Sequence, residues 1–354
     1  MRAVVIRGFG PPDVLRVETV PTPEPAPGEV LVQVAAVSVG RFLDVTARAG
    51  RHPYPGYTFP HVFGAEHAGV VAEVGAGVDG ALVGRRVAVF PNVTDGTCTL
   101  CRRGYDELCP ALELIGMHRP GAYAHYVAVP VGNLHEVSDD LTPEQATNLA
   151  LAGPLVLNQL RRAHFESGQW VLVQGAAGAL GSLTVSLLRH LGGHVIATSR
   201  SAAKRRKLLD FGADAVLDPA TDVVEQVHDL TDGRGADIVI DSLGEPAVWA
   251  TSMASVTAGG FVVTSGAFLG PQVTVDLSRL YLRGQHIVGV RTGNAAGVAA
   301  LWAEVANGFR PVVGTTFPLE DAARAHRLLE DDAALGRIAL LVEQCTPASS
   351  EDRS

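Results

Sequence analysis

One turn in this chain has the residue types and spacing to hold a phosphate. Gly175-Ala176-Ala177-Gly178-Ala179-Leu180-Gly181 follows an apolar run at 170–174 and opens into an apolar stretch at 182–191. Such a turn lets the backbone approach a pyrophosphate, whose charge then lies at the positive N-terminal end of a helix. Ala176 stands where the usual fingerprint has its first glycine, so the motif reads Ala-x-Gly-x-x-Gly and draws its weight from lying between a strand and a helix. A Gly-rich turn chosen only for tight packing is the alternative. One strand later, Thr198-Ser199-Arg200-Ser201 stands where an acidic residue would accept from the ribose 2′-hydroxyl of NAD. Ser199 can donate, Arg200 brings positive charge, and Lys204 follows about one helical turn on, a set suited to the 2′-phosphate of NADPH. A solvated charged helix face would also account for it.

These residues need a scaffold, and the sequence supplies one. A helical stretch over 143–163 leads to apolar runs at 170–174, 194–199, 215–217, 238–241, 261–264 and 286–290, separated by helical segments. Such runs indicate a parallel sheet buried on both faces. Six strands fit a complete doubly wound Rossmann domain, an α/β fold, expected over residues 131–292. Ligands bind at the carboxyl ends of such strands, which places Ser242 and Leu243, Ser265 and Gly266, and Val290 and Arg291 at the cofactor. Residues 1–130 carry short Val-dense segments punctuated by Gly and Pro and read as mostly β. A final strand at 338–342 is expected to rejoin them, grouping 293–345 with the first domain and leaving 346–354 as a frayed tail.

Bulk properties narrow the function. A net charge of −9 over 354 residues argues against nucleic acid as the main partner, leaving a small-molecule substrate. No run of about 18 apolar residues suggests a membrane span. Met1-Arg2-Ala3-Val4-Val5 reads as a strand rather than an export signal, and three of the four cysteines lie between Cys98 and Cys109. A reducing, cytoplasmic setting is therefore expected. The only lysines, Lys204 and Lys207, form with Arg200, Arg205 and Arg206 a basic island on an acidic protein, which a 2′-phosphate site would explain.

The chain resembles the medium-chain dehydrogenase/reductase superfamily, in particular its quinone oxidoreductase and enoyl reductase branch. The resemblance rests on Met1-Arg2-Ala3-Val4-Val5, Gly28-Glu29-Val30-Leu31-Val32, Gly64-Ala65-Glu66, Gly69-Val70-Val71, the 175–181 turn, Phe317-Pro318-Leu319-Glu320-Asp321-Ala322 and Gly336-Arg337-Ile338. It implies a mostly β, GroES-like catalytic domain, a Rossmann domain, a cleft between them, and a homodimer, expected here through the 286–290 edge. Zinc-dependent members hold a catalytic zinc with a Cys three residues before an Asp, a His in Gly-His-Glu, and a third ligand before the Rossmann domain. Here Arg41 precedes Asp44, Ala65 fills the histidine's place, and 149–157 offers no ligand, so no catalytic zinc is expected. Asp95-x-x-Cys98-x-x-Cys101-x7-Cys109 is similar to the superfamily's structural zinc lobe, with Asp95 in place of its first cysteine. Three thiolates and a carboxylate can close a tetrahedral zinc shell; three reduced thiols in a vestigial loop are the alternative.

Arg41, where the branch generally carries asparagine, is expected either to hold a carbonyl or carboxylate of the acceptor or to pair with Asp44 or Glu66. Tyr54 lies near the tyrosine that related reductases use to orient the acceptor or donate a proton, or else it packs. His61 and His67 are alternative proton donors or structural histidines. The expected activity is NADPH-dependent reduction of an electron-poor C=C (enone or enoyl) or a quinone. A zinc-free ketone or alcohol oxidoreductase and a non-catalytic NADPH-binding protein are the alternatives.

Overall fold

The Val-rich segment Glu29–Val39 forms the longest strand, and the first sheet is organised around it. The computed structural model describes residues 1–52, 58–267 and 269–343. In the first sheet, Thr316–Pro318, Ile338–Leu341, Glu29–Val39, His67–Val74, Arg86–Val89 and Leu134–Glu136 lie in that order, and Tyr126–Pro130 also pairs with Glu29–Val39. The last strand sets Ile338 against Val39 and Leu341 against Ala36, antiparallel, so the chain's end rejoins its beginning. Val30, Val32, Val37, Phe63, Val71 and Val87 fill the core of this sheet.

The second sheet runs Ala215–Leu217, His194–Thr198, Trp170–Val173, Ala236–Ile240, Val256–Thr264, His286–Gly289. Every pairing in it is parallel. The chain order is that of a complete Rossmann fold. Val171, Val173, Val195, Ala197, Ile238 and Ile240 face one helical layer, while Leu172, Ile196 and Val239 face the other. That two-sided burial is why these strands read as continuous apolar runs.

The structure departs from the sequence-based boundaries in three places. The expected single helix over 143–163 is two, Pro143–Ala150 and Ala152–Arg162. Pro154 has no N–H and its ring would strike the carbonyl of Ala150, so the helix restarts one turn earlier, with Glu66 Oε1 accepting the Ala152 amide at 3.0 Å. Leu134–Glu136 pairs with Arg86–Val89, so the first sheet continues past residue 130. Helix Ala295–Ala306 does not belong with the first sheet either: Leu301, Val305 and Phe309 sit in the Rossmann-side core. A Cβ at Gly153 would meet Leu301 at 2.5 Å and one at Gly297 would meet the Pro154 carbonyl oxygen at 2.4 Å, so small residues permit this close approach. The chain returns to the first sheet only at Thr316–Pro318 rather than at 293. Among the described residues, no helix is long and apolar enough to cross a membrane.

Candidate functional site

Three glycines in the turn at 175–181 have different physical reasons. Gly175 leaves its strand with φ +61°, a left-handed conformation that favours glycine. A Cβ on Gly181 would lie 2.7 Å from Ala176 Cα, so closure of the turn onto its own helix forces that position. Gly178 is unlike both: the nearest protein atom to its Cβ would be the Gly175 oxygen at 3.6 Å, an ordinary contact. Gly178 is also the N-cap of helix Ala179–His190, and no side chain caps that end. The leading amides of Ala179, Leu180 and Gly181 have no partner within the helix, the arrangement that binds an anion. Ala177 completes the turn by accepting the Gly336 amide at 3.0 Å.

A buried polar chain supports the turn from below. The Gly175 amide donates to Thr198 Oγ1 (3.1 Å), which donates to Gln174 Oε1 (2.8 Å). Gln174 Nε2 donates to Ser252 Oγ (3.3 Å), which donates to Asp241 Oδ2 (2.9 Å), and Asp241 Oδ1 accepts the Leu243 amide (3.0 Å). Burial pushes the Asp241 carboxyl up, against the hydrogen bonds that hold it down. Sequence reading placed Leu243 here and missed Gln174, Asp241 and Ser252. The signal was a polar residue closing each of two apolar strands.

The other strand-end residues gather on the same edge of the sheet. Ser242 Oγ accepts the Ser265 amide at 3.3 Å, Ser265 Oγ accepts from Gln159 at 2.8 Å, and the Gly266 carbonyl accepts from Thr264 Oγ1 at 2.9 Å. Val290 is buried with its amide on the Thr264 carbonyl at 2.9 Å, and Arg291 is exposed.

At the end of the second Rossmann strand, Ser199 is buried and Ser201 caps helix Ala202–Asp210. Arg200 and Lys204 converge on one residue of the other domain. Arg200 Nη2 lies 2.6 Å from Asp332 Oδ2, and Lys204 Nζ donates to the Asp332 carbonyl at 2.6 Å. Arg205 turns instead to Asp218 at 2.9 Å and Lys207 to Asp210 at 3.7 Å.

Arg41 opens the short helical turn Arg41–Thr46, but neither of its expected partners holds it. Its guanidinium donates to the Leu329 carbonyl and lies 3.6 Å from Asp332 Oδ1. Glu66 is taken by Arg337, as a buried ion pair, and by the Ala152 amide. Asp44 accepts the Gly40 amide at 2.7 Å, and its buried carboxyl is pushed up to about 7, chiefly by desolvation. His61 and His67 are buried against the carbonyls of Gly116 (3.1 Å) and Ala65 (2.9 Å). Desolvation pushes both imidazoles down, His67 to about 4, and their enclosure makes them structural rather than proton donors to a cleft. Tyr54 lies outside the described residues. Phe9, Phe42 and Phe59 expose their rings beside this region, Phe9 and Phe59 meeting edge to face at 5.0 Å.

The cysteine lobe converges as its spacing suggests. One ligand atom from each of Asp95, Cys98, Cys101 and Cys109 lies within 4.8 Å of the others. The Thr97 and Cys98 amides, at 2.7 and 2.8 Å, aim the Asp95 carboxylate and hold its pKa down. The Cys101 amide stabilises the Cys98 thiolate, while burial pushes the Cys101 thiol up to about 12. This donor set and its reach fit a tetrahedral metal shell.

Comparison with known proteins agrees with this geometry. Residues 26–139 match the alcohol dehydrogenase GroES-like domain, and residues 179–307 match the zinc-binding dehydrogenase domain. The NAD-dependent alcohol dehydrogenase of Sulfolobus acidocaldarius is 30% identical over 97% of this chain and 100% of its own length. The chain belongs to the zinc-type alcohol dehydrogenase-like, medium-chain dehydrogenase/reductase superfamily. It is an oxidoreductase of that superfamily. Members similar to it have different printed activities. L-threonine 3-dehydrogenase of Pyrococcus horikoshii is 34% identical over 74% of this chain and 75% of its own. Acryloyl-coenzyme A reductase of Metallosphaera sedula is 29% identical over 96% and 99%. A crystal structure of an NAD-dependent alcohol dehydrogenase superposes with a TM-score of 0.88 at 34% identity, covering 97% of this chain and all of that one.

Proposed function

We propose that the protein reduces an electron-poor C=C bond or a quinone with NADPH, with no metal at the reacting centre. The observation that carries this reading is the donor-poor reacting end. Arg41 and Ala65 occupy two positions that zinc enzymes of the superfamily give to ligands, Arg41 is engaged by Leu329 and Asp332, and the stretch at 149–157 offers no Cys, His or carboxylate. Zinc requires about three protein ligands of N, S or O type. An acceptor already polarised by conjugation does not depend on a Lewis acid as a simple alcohol does.

Bound NADPH supplies the hydride. The amides of Ala179, Leu180 and Gly181 hold the pyrophosphate, and Arg200 and Lys204, with Ser199 beside them, hold the 2′-phosphate. Ser242, Leu243, Ser265, Gly266, Val290 and Arg291 border the rest of the cofactor. Phe9, Phe42 and Phe59 offer apolar, ring-shaped surface to a conjugated acceptor. Tyr54 Oη or a water delivers the proton that completes the reduction. Asp95, Cys98, Cys101 and Cys109 hold a structural zinc, and the edge strand His286–Gly289 pairs two copies into a homodimer of the cytoplasm. The kinship to alcohol dehydrogenases favours zinc-free ketone reduction as the second reading.

Incubating the protein with NADPH and matched pairs of enones and saturated ketones tests the proposal. NADPH consumption with the enone and the C=C saturated in the product is the expected result. Turnover confined to the ketones, or reduction of the enone at its carbonyl, would replace the reading with the second one.

A further inference from the structure

Asp332 is an acidic residue at a position that backbone and dipole both disfavour. Helix Ala322–Glu330 ends in a Schellman motif, with the Asp332 amide on the Leu329 carbonyl at 3.2 Å and the Ala333 amide on the Leu328 carbonyl at 3.2 Å. Asp332 occupies the left-handed position, with φ +53°, where such motifs usually place glycine. A helix C-terminus also carries partial negative charge, which a carboxylate aggravates. Against these costs stand three cations: Arg200 on one carboxylate oxygen at 2.6 Å, Arg41 near the other at 3.6 Å, and Lys204 on the carbonyl at 2.6 Å. Arg41 also donates to the carbonyl of Leu329 in the same helix end. Four residues further, Gly336 donates to the Ala177 carbonyl of the phosphate turn at 3.0 Å. The loop from Asp332 to Gly336 thus spans from the basic island to the cradle, along the groove a dinucleotide would occupy.

We infer that Asp332 is an internal counter-ion for the 2′-phosphate pocket, its carboxylate holding Arg200 and Arg41 until the phosphate takes its place, while its backbone carbonyl holds Lys204 beside them. The inference rests on the NADPH reading and adds two residues from the catalytic side to cofactor selection, Asp332 as competitor and Arg41 as a third cation. Arg200 and Asp332 are solvent-exposed, so the exchange is screened by salt and operates as a modest selectivity device rather than a lock.

The test is binding of NADPH and NADH, by calorimetry at low and high salt, to the wild type, Asp332→Asn, Arg41→Gln and Arg200→Ala. Asparagine tolerates the left-handed conformation, so Asp332→Asn removes the charge and keeps the turn. The expected result is that Asp332→Asn tightens NADPH binding about fivefold at low salt, with the gain lost at high salt and NADH unchanged. Arg41→Gln should weaken NADPH and spare NADH. A wild-type preference for NADPH that Arg200→Ala abolishes, with no effect of Asp332→Asn, would overturn this inference and leave the NADPH reading standing. A wild type without that preference, in which Asp332→Asn creates it, would uphold the counter-ion and overturn the reading. No NADPH preference in either protein would overturn both.

Discussion

The carboxylate of Glu107, on the cysteine-bearing lobe, accepts from Asn294 Nδ2 at 3.2 Å, on the segment that leaves the sixth Rossmann strand. Its other oxygen accepts from Asn158 at 3.2 Å, and Asn158 in turn donates to the Thr292 carbonyl at 2.9 Å. Asn92 donates to the Gly293 carbonyl at 2.9 Å and Asp106 accepts the Ala295 amide at 3.0 Å. The lobe therefore grips the loop that joins the sixth Rossmann strand to helix Ala295–Ala306. Glu107→Ala strips a buried carboxylate from two amide side chains and should destabilise the fold by about 3 kcal/mol, read by urea denaturation. Stripping the proposed zinc with a chelator should lower the melting temperature of the wild type and loosen this loop, visible as faster hydrogen exchange at 292–295. A chelated protein with unchanged exchange there would separate the lobe from the junction.

The turn glycines should respond differently to the same substitution. Gly181→Ala forces a Cβ to 2.7 Å from Ala176 Cα and should destabilise the cofactor-free protein, by roughly 1–3 kcal/mol. Gly178→Ala meets nothing closer than 3.6 Å and should leave the melting temperature of the cofactor-free protein almost unchanged while weakening NADPH binding at least about tenfold. Equal cofactor affinity in Gly178→Ala and wild type would remove the pyrophosphate from this turn.

Stability should depend on pH through the buried titratable groups, and three of them carry large shifts. His67 and His326 are pushed down to about 4 and about 3, in each case first by desolvation, from an ordinary value of 6.5. Their contribution is intact above about 6.5 and is lost as pH falls, because the unfolded chain takes up protons first. Asp44 works in the opposite sense: its folded value of about 7 exceeds the ordinary 3.8, so its ionisation costs stability near neutrality and that cost fades as pH falls. Between about pH 4 and 6.5 these groups leave the unfolded chain about one proton ahead, a slope of about 1.4 kcal/mol per pH unit. Asp44→Asn removes the offset and should steepen the measured slope by about 1.4 kcal/mol per pH unit. Denaturation curves across that range check it, and an unchanged slope would contradict the protonated, buried state of Asp44.

Association should proceed through the Rossmann edge. Strand His286–Gly289 is the last in its sheet, and the neighbouring helix Leu277–Leu282 exposes Leu277, Tyr281 and Leu282. Leu282→Glu with Ile287→Lys should convert a dimer to a monomer in light scattering after gel filtration. A monomeric wild type would refute the expectation.

What the sequence revealed and what it hid have a common physical cause. The Rossmann strands were legible because burial on both faces writes them as unbroken apolar runs, and the tight turn at 175–181 because small residues at fixed spacing have a local steric cause. Strand Val256–Thr264 was read only from Phe261, since Gly259 and Gly260 resemble a turn. The partners of Arg41 were hidden because Leu329 and Asp332 lie nearly three hundred residues away, whereas Asp44 and Glu66 were near in sequence. The pairing of Glu66 with Arg337 and the docking of helix Ala295–Ala306 on Ala152–Arg162 are likewise tertiary facts with no local signature.

The central claim, hydride delivery to a conjugated acceptor without a metal at the reacting centre, is tested most directly by one titration. NADPH oxidation with an enone is followed as zinc or cobalt is added to protein of measured metal content. The account predicts a rate indifferent to added metal, with binding saturating at the single equivalent held by Asp95, Cys98, Cys101 and Cys109. A rate that rises in step with a second bound equivalent would contradict it.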